Sequence, residues 1–271
     1  MEDLERAWLA LERPSFAAQL SSILGTPLEQ IIRLLPDEWS ARLRAAAEAA
    51  VVRAYDLARP TLDDRQVASG PAAHRLAAAA TGALGGFFGL PALLLELPTT
   101  TLLMLRAIAD VARANGEDPA SPKTRLACIK VFAIGGRSRA DDYAELGYYE
   151  LRLGLAWQFT TVPALEAGAA PALPQPIGLL RAIGARFGVV VTDKAAAQAV
   201  PILGAVAGAA VNTLFMDHFL GVADGHFTVR RLERRFGRPA VEAAYRAIGA
   251  RHGNPRGLTR TPRRRRNRRA A

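Results

Sequence analysis

The chain has 271 residues, half of them apolar, and a mean hydropathy near zero (+0.08), a composition that supports a large packed core and excludes wholesale disorder. Its one cysteine, Cys128, has no partner for an internal disulfide, which points to a reducing compartment. The net charge of +10 resembles a nucleic-acid signature until it is located: eight arginines and no acids lie within residues 256–271, and removing these eight leaves +2 for residues 1–255.

In chain order, Leu4, Trp8 and Leu11 fall at i, i+4 and i+7 and predict an amphipathic first helix stopped by Pro14. The acidic N-terminus, with no apolar run behind it, does not read as an export signal. Pro36-Asp37-Glu38 starts a second helix, running to about Leu57, and residues 60–71 read as a loop.

From Leu76 to Leu95 the chain carries no charge for twenty residues, LAAAATGALGGFFGLPALLL, the length that spans a bilayer. Gly82 and Gly86 form one GxxxG and Gly85 and Gly89 a second, each pair lining one helix face so that another backbone can approach closely. Alanine and glycine carry little transfer energy, so a central core helix or partly inserted hairpin and a true membrane span both remain open here. Pro91 is expected to kink or end this helix, and Pro98 with Thr99 to Thr101 to start the next, through Ala114.

Further helices are expected from about Pro122 to Ile134, ended by Gly135-Gly136, and from Ala140 to about Gln158. Four prolines in residues 160–176 suggest a linker. A second apolar stretch, Ile177 to Leu220, is read as broken at Asp193-Lys194 and Pro201 and contains a third GxxxG, Gly204 and Gly208. One or two amphipathic helices close the body over 225–252, punctuated by Gly237 and Pro239.

Two polar constellations are candidates for chemistry. On a helix, Asp141, Glu145 and Tyr148 share one face, and Asp142, Glu145 and Tyr149 another, so paired carboxylates there could share a proton or hold a hard cation. Dipole complementation by acids in a first turn explains the same residues without chemistry. The second constellation is Asn212, Asp217, His218, Asp224 and His226; a metal site there requires a helix break at Gly221 and Asp224-Gly225 to turn both histidines inward. Helix capping and a buried histidine hydrogen bond are the plainer account. No HExxH, paired CxxC, Walker A, GxSxG or dinucleotide loop occurs, so neither a metal nor a cofactor is assigned. Cys128 reads as core packing, and the arginines of Arg230-Arg231-Leu232-Glu233-Arg234-Arg235 as a solvated or anion-facing surface.

Several blocks carry a family resemblance: Thr81-Gly82-Ala83-Leu84-Gly85-Gly86 with Gly89-Leu90-Pro91-Ala92, Leu97-Pro98-Thr99-Thr100, and Met104-Leu105-Arg106-Ala107-Ile108-Ala109-Asp110. Gly116-Glu117-Asp118-Pro119, Ala140-Asp141-Asp142-Tyr143, Phe215-Met216-Asp217-His218-Phe219 and His226-Phe227 followed by Arg230-Arg231-Leu232-Glu233 continue it. In this order, over about residues 40–245, the chain resembles the EcsC family, named from a gene associated with a bacterial ABC transporter. The resemblance implies a single helical domain. Some relatives carry peptidase-like names, but no protease constellation is present here.

The expected architecture is therefore all-α: a multi-helix bundle over residues 1–252 with central Gly-rich apolar helices, and a disordered Arg-rich tail over 253–271. The expected role is non-enzymatic, at the cytoplasmic face of the cell membrane and accessory to a membrane complex. Arg263, Arg264, Arg265, Arg266, Arg268 and Arg269 would attract anionic lipid or nucleic acid, and no small-molecule ligand is identifiable. The rival expectation is an enzyme, such as a metal-dependent hydrolase, using Asp141, Asp142 or Glu145 with Asp217, His218 or His226 between helices.

Overall fold

A computed structural model describes residues 1–25, 28–33, 37–62, 76, 90–136, 147–155, 176–198 and 204–252. Among them every regular element is a helix. In chain order these are α1 (Glu2–Leu11), α2 (Phe16–Leu24), α3 (Leu28–Ile32), α4 (Asp37–Leu62), α5 (Leu90–Ala114) and α6 (Pro122–Gly135). A helix whose described part covers 148–155 (α7) follows, then α8 (Pro176–Gln198), α9 (Gly204–Phe236) and α10 (Arg238–His252).

Local chemistry accounts for several helix ends. Glu2, Asp3 and Glu5 occupy the first turn of α1, where the helix dipole favours negative charge. Leu4, Ala7, Trp8 and Leu11 form its buried face. Ser15 caps α2, its side chain accepting from the Ala18 N–H at 3.3 Å, and Gly25 closes it in the left-handed conformation at φ 65°. Gly237, at φ 82°, separates α9 from α10.

Two long helices organise the bundle. α8 lies antiparallel along α4, because Gly184 faces Glu48 and Gly188 faces Arg44. A Cβ on Gly184 would stand 2.7 Å from the Glu48 Cα, so glycine sets the closeness of these two backbones. α4 also packs against α5. α9, about 50 Å long at 1.5 Å per residue, carries α1, α5, α6 and α10. α1 runs antiparallel to it: Asp3 meets Arg231, and Leu11 lies where a Cβ on Gly225 would stand, 2.7 Å from its Cγ.

α6 is wedged into the middle and is buried on nearly every side from Ala127 to Gly135. Phenylalanines from four helices meet around it. Phe132 stands 4.8 Å from Phe187 and 5.6 Å from Phe219, and Phe215 lies 5.4 Å from Phe16 and 5.2 Å from Phe219. Tilted and edge-to-face contacts of this kind add to area burial.

The structure corrects four expected boundaries. α4 continues through Pro60 to Leu62 rather than giving way to a loop at 60. Pro98 lies inside α5 and does not start a new helix. Leu93, Leu97, Met104, Leu105 and Ile108 bury both sides of the proline against the core, so packing outweighs one missing N–H. Asp193-Lys194 does not break α8, because Lys194 is buried against an acid on α5. Finally, α9 runs unbroken through Gly221 and Asp224-Gly225, where α1 packs against Gly225 and the Arg13 side chain, just beyond α1, reaches Gly221.

The apolar run 76–95 enters the described residues through Leu76 and Leu90–Leu95, so Gly82, Gly85, Gly86 and Gly89 lie outside them. Gly204 opens α9 and Gly208 lies in its first turns, with side-chain surroundings outside the described residues. Among the described residues no helix is long and apolar enough to cross a membrane.

Candidate functional site

The histidines named from sequence sit on one continuous helix. His218 and His226 are eight residues apart on α9, about 12 Å along the axis, and each has its own partners. The Gln19 amide lies 3.3 Å from His218 Nδ1, and the ring meets the Gly135 carbonyl through Nε2 at 2.9 Å. His218 therefore ties α2 and the end of α6 to α9. Asp217 is half-buried and Asp224 exposed on the same helix. Asp141, Asp142 and Glu145 lie outside the described residues. Among the described residues no group of three or more His, Cys, Asp or Glu side chains is placed to hold a metal ion.

The fold does bring the C-terminal part of the first constellation to the second. Tyr148, at the start of α7, is fully buried, and its hydroxyl stands 2.8 Å from His226 Nδ1. Arg152, one turn along α7, donates to the same hydroxyl at 3.2 Å and grips both oxygens of Glu233 at 2.8 and 3.1 Å. Its guanidinium lies 5.2 and 5.4 Å from the ring centroids of Tyr148 and Tyr149. Tyr149 donates to Glu233 at 3.1 Å. On the far side, Glu12 accepts from the Tyr148 backbone N–H at 3.1 Å and from the Tyr245 hydroxyl at 2.9 Å. α1, α7, α9 and α10 thus share one buried polar network.

Electrostatics keep its histidine and both tyrosines uncharged near neutral pH. Burial, with the cations Arg152, Arg230 and Lys130, holds His226 well below the usual imidazole range, so the ring is neutral. Burial also raises the Tyr148 phenol, and burial with the Glu233 charge raises that of Tyr149. Desolvation opposes charge on Arg152, but Tyr148 and Glu233 outweigh it and the guanidinium stays protonated. Neither phenol is a nucleophile under these conditions.

Two clusters were not recognised in the sequence. In the first, Glu96 of α5 accepts through Oε1 from Thr100 at 3.0 Å, from the Asn212 amide at 3.0 Å and from the Lys194 ammonium at 3.5 Å. Lys194 is completely buried, its ammonium 5.0 Å from the Phe215 ring centroid. Burial pushes its pKa down, and the Glu96 charge pulls the other way. The sequence signal was a lone lysine inside an apolar helix and an acid ending an apolar run; only their juxtaposition gives it meaning.

The second is Glu117, in the turn between α5 and α6. Arg230 holds both its oxygens at 2.8 and 3.0 Å, Thr124 donates at 3.1 Å, and Arg234 pairs with it while donating to the Asn115 carbonyl at 2.7 Å. Burial raises the carboxyl pKa, but the arginines outweigh it and the net shift is downward. The arginine run 230–235 is therefore largely a set of internal clamps: Arg231 holds Asp3, and Glu233 holds Arg152. Arg235 lies over the exposed Phe236 ring.

The EcsC protein family model matches residues 4–232, and the chain belongs to that family. No curated protein and no solved structure matches the chain.

Proposed function

We propose that this EcsC-family chain is a peripheral accessory protein on the anionic, cytoplasmic face of a membrane, serving a membrane complex such as an ABC transporter. What supports the reading above all is the exposure of Leu95. It ends the uncharged run 76–95 and is 83 % exposed, while its neighbours Leu93 and Leu97 are buried in the bundle. α5 therefore has an inner apolar face used by the fold and an outer leucine that the fold leaves in water. Burying one leucine contributes roughly 1.5–3 kcal/mol. The excess positive charge lies in residues 256–271, whose eight arginines each contribute about 1 kcal/mol near an anionic leaflet. Residues 1–255, at +2, offer no comparable field.

Vesicle co-sedimentation tests the reading. The full chain should pellet with phosphatidylserine-containing vesicles. A chain ending at residue 255 should lose the salt-sensitive part of that binding, and Leu95→Glu the salt-resistant part. A full chain that ignores anionic vesicles at low salt refutes the proposal. Binding to duplex DNA without binding to vesicles reassigns the tail to nucleic acid.

A further inference from the structure

We propose that the joint between α9 and α10 is a membrane anchor, with Phe236 entering the interface of an anionic bilayer while Arg235 and Arg238 meet lipid phosphates. The contact rests on the peripheral role proposed above and gives it a second foothold, remote from Leu95.

Residues 234–240, RRFGRPA, are all exposed, so the joint stands out from the bundle. Phe236 is 57 % exposed and is the one aromatic among the exposed large hydrophobic side chains of the described residues. A lone apolar side chain in water is ordinary; the collar of cations around this one is not. The Arg235 guanidinium lies 5.1 Å from the ring centroid and, among the described residues, makes no ion pair. Arg234 and Arg238 flank it, and their acids sit behind them. The Arg234 side chain is 45 % exposed against 7 % for Glu117, and that of Arg238 55 % against 28 % for Glu242, 3.6 Å away. An approaching surface therefore meets the cations first.

An apolar ring among guanidiniums matches the boundary of a bilayer, where acyl chains lie just beneath phosphates. The chain continues from the joint into an open groove of about 410 Å³ lined by Arg238, Pro239, Glu242, Ala243 and Arg246. Two guanidiniums to one carboxylate leave it net positive, with room for a lipid headgroup. The tip is also held in place. The Gly237 N–H donates to the Glu233 carbonyl at 3.0 Å, and the Gly237 carbonyl accepts from the Val241 N–H at 3.3 Å, so little ordering opposes contact. Arg234 donates to the Asn115 carbonyl, just past α5, which sets the joint about 30 Å along that helix from Leu95. Contact at both points lays α5 along the membrane surface.

The test titrates the full chain with vesicles of equimolar phosphatidylserine and phosphatidylcholine. Phe236→Ser should weaken binding about fivefold to tenfold, since roughly half the ring is available to insert. Arg235→Gln with Arg238→Gln should weaken it about tenfold to thirtyfold at low salt and much less at high salt. Phe236→Trp should bind as the wild type does, and brominated acyl chains should quench its added emission beyond that of the three native tryptophans. These positions are exposed, so Tm should barely move in any variant. Wild-type binding that neither Phe236→Ser nor the arginine pair weakens overturns the anchor and leaves the peripheral role standing. So does Phe236→Trp emission that bound vesicles leave unquenched. A wild-type chain that ignores the vesicles overturns both.

Discussion

Replacing Lys194 with methionine isolates the buried acid–amine pair that joins α5 to α8. Methionine keeps most of the stem that packs near Phe215 and removes the ammonium. The Glu96 carboxylate, whose side chain is 10 % exposed, then keeps only the Thr100 and Asn212 donors. Removing one partner of a buried pair costs about 3–5 kcal/mol, because the other charge is left uncompensated. At about 2–4 °C per kcal/mol for a chain of this size, Tm should fall by roughly 6–20 °C. Replacing both members tests the cause. Glu96→Gln with Lys194→Met removes the orphaned charge, so the double variant should be more stable than Lys194→Met alone, with a coupling of at least about 1 kcal/mol. Urea unfolding followed by far-UV circular dichroism on the wild type, both single variants and the double variant closes the cycle. Additive losses, or a Lys194→Met cost below about 1 kcal/mol, would refute the view that the pair is energetically coupled in the core.

Three further outcomes follow from the same geometry. Gly184→Ala places a Cβ 2.7 Å from the Glu48 backbone and should cost about 1–3 kcal/mol, whereas Gly154→Ala, with nothing within 4 Å, should be neutral or gain up to about 1 kcal/mol; paired urea melts distinguish them. Burial pushes the Cys128 thiol up to about 12, so it should resist a thiol reagent at mildly alkaline pH and react only as the protein unfolds. His226 has a folded pKa depressed below the ordinary 6.5 by burial and by Arg152, Arg230 and Lys130, so below that pH the unfolded chain binds the proton and the folded one does not. Its contribution to stability is therefore complete above about pH 6.5 and shrinks as pH falls, by at most about 1.4 kcal/mol per unit. His226→Gln should remove that part of the slope, and an unchanged slope assigns it to other groups.

What the residues determine by themselves is local. The i, i+4, i+7 spacing of Leu4, Trp8 and Leu11, and the span from Pro122 to the Gly135-Gly136 pair, mark α1 and α6 to within a residue or so, because caps and apolar periodicity act within a few residues of their own position. Gly237 likewise marks the joint between α9 and α10, since few other residues take φ 82° without strain. Tertiary structure decided which local signals prevailed. Pro98, Asp193-Lys194 and the Gly221-to-Gly225 stretch all read as interruptions, yet each lies inside a helix whose burial outweighs a bias of roughly 1–3 kcal/mol. It also turned apparent surface charge into internal clamps. Arg230 answers Glu117 and Lys194 answers Glu96, partners about a hundred residues apart in the chain. Whether such a charge is solvated or paired depends on which helix faces it, and that relation exists only once the helices are packed.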